Sequence, residues 1–513
     1  AAKYVKLTIN SNWGNDRLKQ YGLSEVRFFS IPVCATEPYP NSGATDVDLD
    51  VILGWKAGRE AVTHNVSFSA DEQAVIDGTA PVTAVVSASY TPPTLDLGST
   101  YYWRVEEVND AETPATWQGD VWGFTTEEFI AVEDFESFND ADDLVYDTWI
   151  DGFDNPAANG STMGYTIPFE PTMETGIVHG GSQSAPMEYN NTAAALSEVT
   201  RTFAAPQDWT KHSVQTLTLW FRGAAGNTGQ LYVKVNGSKV VYDGDAANLQ
   251  LGWQAWNIEL ASFGVDLQSV TTLAIGVEGS GATGLLLLDD IRLYALSREF
   301  ITPVQPDAAG LIGHWALDGN TQDSSGLANH GTAQGGPTYA AGKIGQAMSF
   351  DGSDDYVVID GVAGDITSND ITLAAWVNMI SAANIDWYPI ISCNTAAGGN
   401  VGWLAVDDGF ADFGNLTGTM LVTDDEWHHL AYTSIGGTGS LYVDGVLEGT
   451  HTATLDFSTD NNLWSIGQEW DGGPSTSDFF IGTVDDARIY NYGLSYAEVA
   501  GLAGRTLPFD KPF

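Results

Sequence analysis

Leu288-Asp-Asp-Ile-Arg-Leu-Tyr294 recurs later in the chain as Val484-Asp-Asp-Ala-Arg-Ile-Tyr490. Each copy comes after a run typical of a strand that ends in a tight turn. These runs are Leu231-Tyr-Val-Lys-Val-Asn-Gly237 and Leu441-Tyr-Val-Asp-Gly445. The shared order of strand, turn and closing strand predicts two domains with the same architecture.

The first Asp of each copy is the candidate functional residue of this pattern. Alternate residues of a regular strand face the same side, so we expect Asp289 and Asp485 to face inward with the apolar residues that follow them. An inward carboxylate needs a partner to stay charged, and a metal ion is the simplest one. The repeat therefore predicts a cation site in each domain.

Short alternating runs bounded by Gly, Asn and Asp dominate the remaining sequence, as in Tyr101-Tyr-Trp-Arg-Val105 and Leu217-Thr-Leu-Trp-Phe221. Such runs are typical of β-strands. The best helix candidate is short and follows Ser495, a suitable N-cap. We therefore predict an all-β chain of tandem β-sandwiches.

The charge balance limits the classes of partner. The 513 residues include 67 acidic and 19 basic side chains, a formal net charge of −48, which repels nucleic acid and anionic membranes. Either solubility in salt or Ca²⁺ binding accounts for so many carboxylates. Two cysteines, Cys34 and Cys393, exclude a disulfide framework. No apolar run reaches the roughly 18 residues of a membrane span, so no membrane insertion is expected.

Proline-rich stretches and changes of pattern predict the domain boundaries. Thr302-Pro-Val-Gln-Pro-Asp307 has the proline spacing of a stiff, extended connector. Ala1 directly precedes a strand-like run, as in a processed or trimmed chain. The predicted segments are residues 1–35, 36–127, 128–300, 307–500 and a tail at 501–513.

The C-terminal segment carries many motifs in register. They are Gly313-His-Trp-Ala-Leu-Asp-Gly-Asn320, Asp323-Ser-Ser-Gly326, Ala347-Met-Ser-Phe-Asp-Gly352, Leu373-Ala-Ala-Trp-Val377, Trp427-His-His-Leu430 and Gly482-Thr-Val-Asp-Asp486. With these motifs, residues 307–500 resemble the laminin-G-like/concanavalin-like jelly-roll family of bacterial exported proteins. The resemblance implies a two-sheet sandwich, often with structural calcium, that binds glycans or protein partners.

The other segments carry weaker resemblances. Residues 128–300, through Val132-Glu-Asp-Phe-Glu136 and the closing strand, resemble jelly-roll carbohydrate-binding modules, in which Ca²⁺ commonly ties the first and last strands. Residues 36–127 resemble a fibronectin type III domain, which implies that Trp55 and Tyr102 pack in its core. Residues 1–35 resemble the last strands of a discoidin-like domain, left either by trimming of a longer precursor or as strands that pair with another polypeptide.

Two sets of oxygen ligands are predicted for structural Ca²⁺. In the C-terminal domain Asp318, Asn320 and Asp323 share one loop, and Asp485 begins the closing strand. In the middle domain the candidates are Asp134, Glu136 and Asp289. The alternative is a network of turns without metal, because Asp and Asn accept hydrogen bonds from their own turns.

Aromatic side chains in polar settings are candidates for stacking on sugar rings. They are Trp387, Tyr388, Trp403 and Trp470 in the C-terminal domain and Trp149 and Trp253 in the middle domain. Four other tryptophans, Trp220, Trp315, Trp376 and Trp427, lie in apolar strand patterns and are expected in cores.

Catalysis has little support in the sequence, so we predict that the chain is not an enzyme. No nucleophile, zinc-protease or phosphate-loop motif occurs. An active site formed by Glu170, Glu174 and His179 is the remaining possibility for hydrolysis. Strand spacing places His428 and His429 on opposite faces, which favours structural roles.

The combined prediction is an extracellular or cell-surface, calcium-dependent adhesion or carbohydrate-binding protein, with four β units strung in line. Its partners would be polysaccharide or glycoprotein glycans, or copies of itself. Two alternatives stay open: a structural matrix or surface-layer subunit that self-assembles, and the accessory binding part of a polysaccharide-degrading enzyme.

Overall fold

A computed structural model describes residues 32–110, 113–165, 171–250, 252–359, 361–379, 387–397, 399–453, 456–457, 462–471 and 475–513. The predicted discoidin-like strands and Glu170 lie outside the described residues, apart from residues 32–35. The chain divides into two compact units, Ala1–Glu128 and Phe129–Phe513. Among the described residues, no helix has both the length and the apolar character needed to cross a membrane.

The first unit is a β-sandwich with sheets of three and five strands. Its elements are β1 Thr36–Tyr39, β2 Ala44–Val47, β3 Leu53–Lys56, β4 Thr63–Ser69, α1 Glu72–Asp77, β5 Val82–Val85, β6 Ser89–Tyr90, β7 Thr100–Val108 and β8 Thr116–Thr126. The sheet orders are β1-β3-β6 and β2-β8-β7-β4-β5. Trp103, not Tyr102, packs in the core against Trp55, with ring centroids 6.0 Å apart. The expected Trp55–Tyr102 pair is therefore wrong by one residue, which in a strand places the side chain on the other face.

The middle jelly roll begins the second unit. Its elements are β9 Phe129–Glu133, α2 Val145–Thr148, β10 Trp149–Ile150, β11 Ser161–Met163, β12 Ala185–Asn190, β13 Leu196–Gln207, β14 Thr216–Arg222, β15 Gln230–Val235, β16 Ser238–Val241, β17 Trp253–Glu259, β18 Val270–Glu278, β19 Thr283–Tyr294 and β20 Phe300–Ile301, with 3-10 turns at Ala246–Gln250, Leu260–Phe263 and Leu267–Ser269. One sheet has the order β10-β13-β18-β15-β16, and the other has β11-β12-β19-β14-β17 with β9 also on β19.

The C-terminal jelly roll has larger sheets. Its elements are β21 Leu311–Trp315, β22 Gly331–Gln334, β23 Thr338–Ala341, β24 Gln346–Asp351, β25 Tyr356–Ile359, α3 Val362–Asp365, β26 Ile371–Asn378, β27 Tyr388–Asn394, β28 Asn400–Asp407, β29 Phe410–Phe413, β30 Leu416–Leu421, β31 Trp427–Ile435, β32 Thr438–Val443, β33 Val446–Thr452, β34 Leu463–Ile466, β35 Glu469–Asp471, β36 Ser475–Ser477, β37 Ile481–Tyr490, α4 Tyr496–Leu502 and β38 Phe509–Asp510, with a 3-10 turn at Ala308–Gly310.

Two sheets enclose the core of this jelly roll. The eight-stranded sheet has the order β23-β24-β37-β26-β31-β32-β33, with β21 on β37, and the seven-stranded sheet has β22-β25-β34-β27-β28-β29-β30. Inward residues of both sheets, such as Leu373, Leu404 and Leu430, form one apolar cluster. The predicted class, tandem all-β sandwiches, is confirmed.

The repeated D-D-x-R-x-Y segment forms the same β-bulge in both jelly rolls. Asp289 pairs with Trp220 and Arg292 with Thr218, so β19 carries one extra residue relative to β14. Asp485 pairs with Trp376 and Arg488 with Ala374 in the same way. The second Asp of each copy takes a left-handed conformation, with φ of 44° at Asp290 and 51° at Asp486, which Asp tolerates better than most residues.

The two jelly rolls pack directly on each other. Trp220, Trp253 and Leu287 belong to the same buried cluster as Met420 and the core of the C-terminal jelly roll. A Cβ on Gly252 would lie 2.6 Å from Met420 Cε, so glycine permits this close approach.

The C-terminal tail strengthens this contact by returning to the middle jelly roll. β38 pairs with β20, and Asp510 accepts hydrogen bonds from Arg298 Nε at 2.5 Å and from the Asn257 amide at 3.2 Å. The connector at residues 302–307 lies along α4, where Val304 N donates to Ala497 O. The expected in-line arrangement is therefore wrong for these two domains, since the connector and the tail are both bound to the folded unit.

Candidate functional site

An aromatic pair above a carboxylate lies on the outer face of the seven-stranded sheet. The rings of Trp387 and Trp403 meet edge to face, with centroids 5.3 Å apart. Asp412 Oδ1 accepts the indole N–H of Trp403 at 3.0 Å and of Trp387 at 3.5 Å, while Thr417 donates to Oδ2 at 3.0 Å. We call these four residues the tryptophan platform.

Strand alternation explains why the platform faces away from the core. In β28, Leu404 and Val406 point into the apolar cluster. Trp403 precedes Leu404 in the strand, so its side chain points to the opposite, outer face and stays partly exposed. Asp412 lies on the same outer face because β29 pairs with β28 through Ala405.

Burial raises the pKa of Asp412, although the hydrogen bonds from Trp403, Thr417 and Trp387 offset part of this effect. These donors also fix the direction of both indole rings. A rigid, partly exposed pair of rings can stack on the C–H face of a sugar, while neighbouring oxygens accept its hydroxyl groups.

Four of the six aromatic candidates do not fit this role. Trp149 is 0% exposed and donates to Glu133 Oε2 at 3.0 Å, and Trp253 is 2% exposed between the two jelly rolls. Trp470 is 8% exposed with its ring edge-on to Tyr356, and Tyr388 packs against the core. These four predictions are corrected, because contacts from distant parts of the chain cover the three tryptophan rings and Tyr388 packs against the core instead of joining the platform.

The structure also gives a cavity of about 220 Å³ between the jelly rolls. Trp376 and Trp427 line it together with Lys343, Asp245 and Arg505. Trp315 packs in a core, as expected. Trp220 and Trp376 are buried, but at the contact between the jelly rolls, and Trp427 is partly exposed at this cavity. The sequence gives no signal for the cavity, because its walls come from two domains and the tail.

The predicted cation ligands of the C-terminal domain are only partly brought together. Asp318 lies near enough to Asp485 to raise its pKa, and the two accept hydrogen bonds from the same loop, at Gln346 N (2.6 Å) and Ile344 N (2.7 Å). Asp323 instead accepts the amides of His314, Ser325 and Asn329, and Asn320 is exposed and closes its own turn.

One carboxylate oxygen of Asp485 is an unsatisfied hydrogen-bond acceptor. Its side chain is fully buried, its Oδ1 has no hydrogen-bond partner, and burial together with Asp486 and Asp318 raises its pKa to about 6. A bound cation would supply the missing partner, so Asp485 and Asp318 fit a metal site in part.

The candidates of the middle jelly roll are occupied by protein donors. Asp289 accepts the amides of His179, Gly180 and Asp290, and burial raises its pKa to about 7. Both oxygens of Glu136 bind Ser182, and Asp134 caps the turn at Glu136. The bonds of Glu136 and Asp289 both hold one loop, residues 179–183.

The second Asp of each repeat, which the sequence argument left aside, forms an ionic cluster. Asp290 contacts His179 at 2.6 Å and Arg292 at 2.5 Å. Asp486 contacts His314 at 2.5 Å and Arg488 at 2.9 Å. The D-D-x-R spacing was the sequence signal that could have indicated these clusters. The bulge in each closing strand places the Arg beside the second Asp.

Two of the residues considered for hydrolysis, Glu174 and His179, are each held by other groups of the protein. Glu174 accepts from the Tyr165 hydroxyl at 2.8 Å and from Gly176 N at 2.6 Å. His179 stacks on Trp220, with centroids 3.7 Å apart, and is held by Asp290.

Acidic clusters also occur outside the predicted cation sites. In the described part of the chain, two groups of three acidic residues bring one carboxylate oxygen from each member within 4.8 Å of the others. They are Asp351, Asp354 and Asp355, and Glu469, Asp471 and Asp478. The i, i+2 spacing of Glu469 and Asp471 in a strand was the signal that could have indicated the second group.

Residues 351–500 match the Laminin_G_3 family, described as the concanavalin A-like lectin/glucanases superfamily. The C-terminal domain is thus a concanavalin-like jelly roll, and the matched range includes the tryptophan platform. No curated protein sequence matches the chain.

Several solved structures are similar to part of the chain. Domain 4 of AbnA, an extracellular arabinanase from Geobacillus stearothermophilus solved with arabinotriose, is 24% identical with a TM-score of 0.31; the match covers 38% of this chain and 98% of that one. The receptor-binding domain of botulinum neurotoxin C/D mosaic serotype is 15% identical over 39% of this chain and 52% of that one, with a TM-score of 0.31. The binding domain of Paraclostridial Mosquitocidal Protein 1 is 13% identical over 38% and 52%, with a TM-score of 0.30.

Proposed function

We propose that this chain is an extracellular or cell-surface carbohydrate-binding protein without catalytic activity, and that the tryptophan platform holds the glycan. The observation that carries the proposal is the Trp387–Trp403 pair, fixed over Asp412 on the outer face of a sheet. Its position within a domain of the lectin/glucanase superfamily supports the same function.

The platform suits binding better than hydrolysis. Glycosidases need two carboxyl groups on either side of the scissile bond, one of them a general acid. The platform offers Asp412, whose oxygens already accept three side-chain donors. The acid therefore positions rings in this proposal, and the rings supply the contact with sugar.

Calcium forms the second part of the proposal. Asp485 and Asp318 would hold the ion, since the buried Oδ1 of Asp485 lacks a partner. A bound cation would neutralise the two carboxylates and fix the 342–346 loop against the closing strand. Adhesion would then result from glycan binding by a domain in which Ca²⁺ holds this loop rigid.

Titration of immobilised glycans with the full chain tests the platform. We expect Trp403→Ala to weaken binding by about tenfold or more, since truncating an aromatic residue that anchors an interface costs on the order of 2 kcal/mol. Tyr339→Ala, an exposed aromatic on strand β23 of the other sheet, is the matched control and should bind as the parent does. Equal loss in both variants, or no loss in Trp403→Ala, contradicts the assignment.

A further inference from the structure

The hairpin formed by β35 and β36 carries three acidic side chains at one point. Glu469 and Asp471 lie two residues apart on β35, and Asp478 directly follows β36. One carboxylate oxygen from each lies within 4.8 Å of the other two. Two oxygens bound to the same Ca²⁺ at 2.3–2.6 Å are at most about 5 Å apart, so the spacing suits one ion.

Glu469 gives an independent indication of a missing partner. Its side chain is only 6% exposed, and its Oε2 has no hydrogen-bond partner. Because one of its oxygens lies within reach of Asp471 and Asp478, this buried carboxylate is directed into the cluster. A buried, unpaired carboxylate oxygen is costly unless a cation or a donor meets it.

We propose that Glu469, Asp471 and Asp478 bind one divalent cation, with Ca²⁺ as the preferred ion. Three carboxylates form a hard, all-oxygen donor set, and a cage made by the protein itself suits Ca²⁺ better than Mg²⁺, which retains more of its waters. The site is separate from Asp485 and Asp318 and does not depend on the proposed glycan function. Bound Ca²⁺ would fix the hairpin beside Tyr356, which packs on both Trp470 and Phe479.

The second acidic group provides a matched control. Asp351, Asp354 and Asp355 are equally close together. Here, however, the buried member already has a donor, since Asp355 Oδ2 accepts the Asp351 amide at 3.1 Å. This group lacks the indication that Glu469 provides, so Asp354→Asn should leave cation binding unchanged.

Terbium luminescence on the full chain tests the site directly. Tb³⁺ replaces Ca²⁺ on oxygen ligands, and Trp470, between Glu469 and Asp471, is placed to sensitise its emission. We expect Tb³⁺ emission that Ca²⁺ displaces and that Trp470→Phe strongly reduces, while calorimetry still finds the Ca²⁺ site in that variant.

Variants of the ligands decide the outcome. Asp471→Asn changes an exposed side chain and should weaken Ca²⁺ by about tenfold or more, because affinity follows the charge of the ligand set. Glu469→Gln should remove the site while keeping or raising the melting temperature in chelator. Ca²⁺ stoichiometry and affinity that are unchanged in Asp471→Asn would overturn the proposal, and so would an equal loss in Asp354→Asn.

Discussion

His428 lies between two carboxylates near the contact of the two jelly rolls. It contacts Asp444 at 2.8 Å and Asp424 at 3.0 Å, and Asp424 also faces Arg222 of the middle jelly roll at 3.7 Å. Burial alone would lower the pKa of His428, but the charges and hydrogen bonds of Asp444 and Asp424 outweigh it and raise the pKa to about 10.

This shift predicts a pH-dependent stability. Below about pH 6.5 both folded and unfolded chains hold the proton, and the stabilisation is fully present. Between about pH 6.5 and 10 only the folded chain holds it, so stability should fall as pH rises, by on the order of a few kcal/mol. Urea denaturation across this range measures the slope. His428→Gln should flatten it, and an unchanged slope in that variant would contradict the assignment.

The neighbouring His429 behaves in the opposite way, because burial lowers its pKa to about 4. Two adjacent histidines thus hold different charges at neutral pH. The sequence predicted their opposite orientation from strand spacing, but their charge states depend on which groups the fold places around each ring.

At the scale of elements, the bulge in the closing strand is the repeated structural unit. Asp486 takes a φ of 51° and binds both His314 and Arg488. Asp290 does the same in β19 with His179 and Arg292. The left-handed conformation and the ion pairs together explain why the repeat keeps a second Asp.

We expect Asp486→Ala to destabilise the second unit by about 3 kcal/mol. Alanine tolerates the left-handed conformation at this position less well than Asp, and the substitution also removes a largely buried ion pair. Asp486→Asn should lose less, because Asn tolerates this conformation and can still bond Arg488. Chemical denaturation of both variants tests this. Equal losses in the two variants would contradict this prediction.

At the scale of the whole second unit, the tail couples the two jelly rolls. Arg298 binds Asp510 of the tail at 2.5 Å and Asp243 at 2.7 Å, while both Arg298 and Asp510 are largely buried. Removing one member of a buried ion pair costs about 3–5 kcal/mol. The tail is therefore part of the folded unit rather than an appendage.

Calorimetry of Arg298→Ala should show the consequence. We expect the two jelly rolls of the parent to unfold in one coupled transition. In the variant we expect two separate transitions, the first at a lower temperature than in the parent. Lys511→Ala is the matched control, since Lys511 forms an exposed ion pair with Glu299 at 2.7 Å that is expected to contribute little. Coincident transitions in Arg298→Ala would contradict the coupling.

The sequence predicted well those features that depend on local patterns. Period-two alternation gave the strands and placed Trp220, Trp315 and Trp376 in buried positions. The Ser495 cap and its helix α4 follow from local signals, with Glu498 completing the capping box. The core residue predicted from the sequence, Tyr102, was wrong by one position. Tyr102 and Trp103 are both aromatic, so only the sheet pairing decides which of them faces inward.

The sequence alone determined the chemistry of the candidate sites, but it did not determine which residues come together in each site. It identified aromatic rings and clustered carboxylates, and among these Trp387 and Trp403 do come together. Only the tertiary structure decided that Trp149 and Trp253 are covered, that Asp289 is occupied by amides, and that Oε2 of Glu469 has no hydrogen-bond partner. The physical reason is that strand patterns act over a few residues, whereas burial and hydrogen-bond satisfaction depend on chain segments that meet from far apart in the sequence.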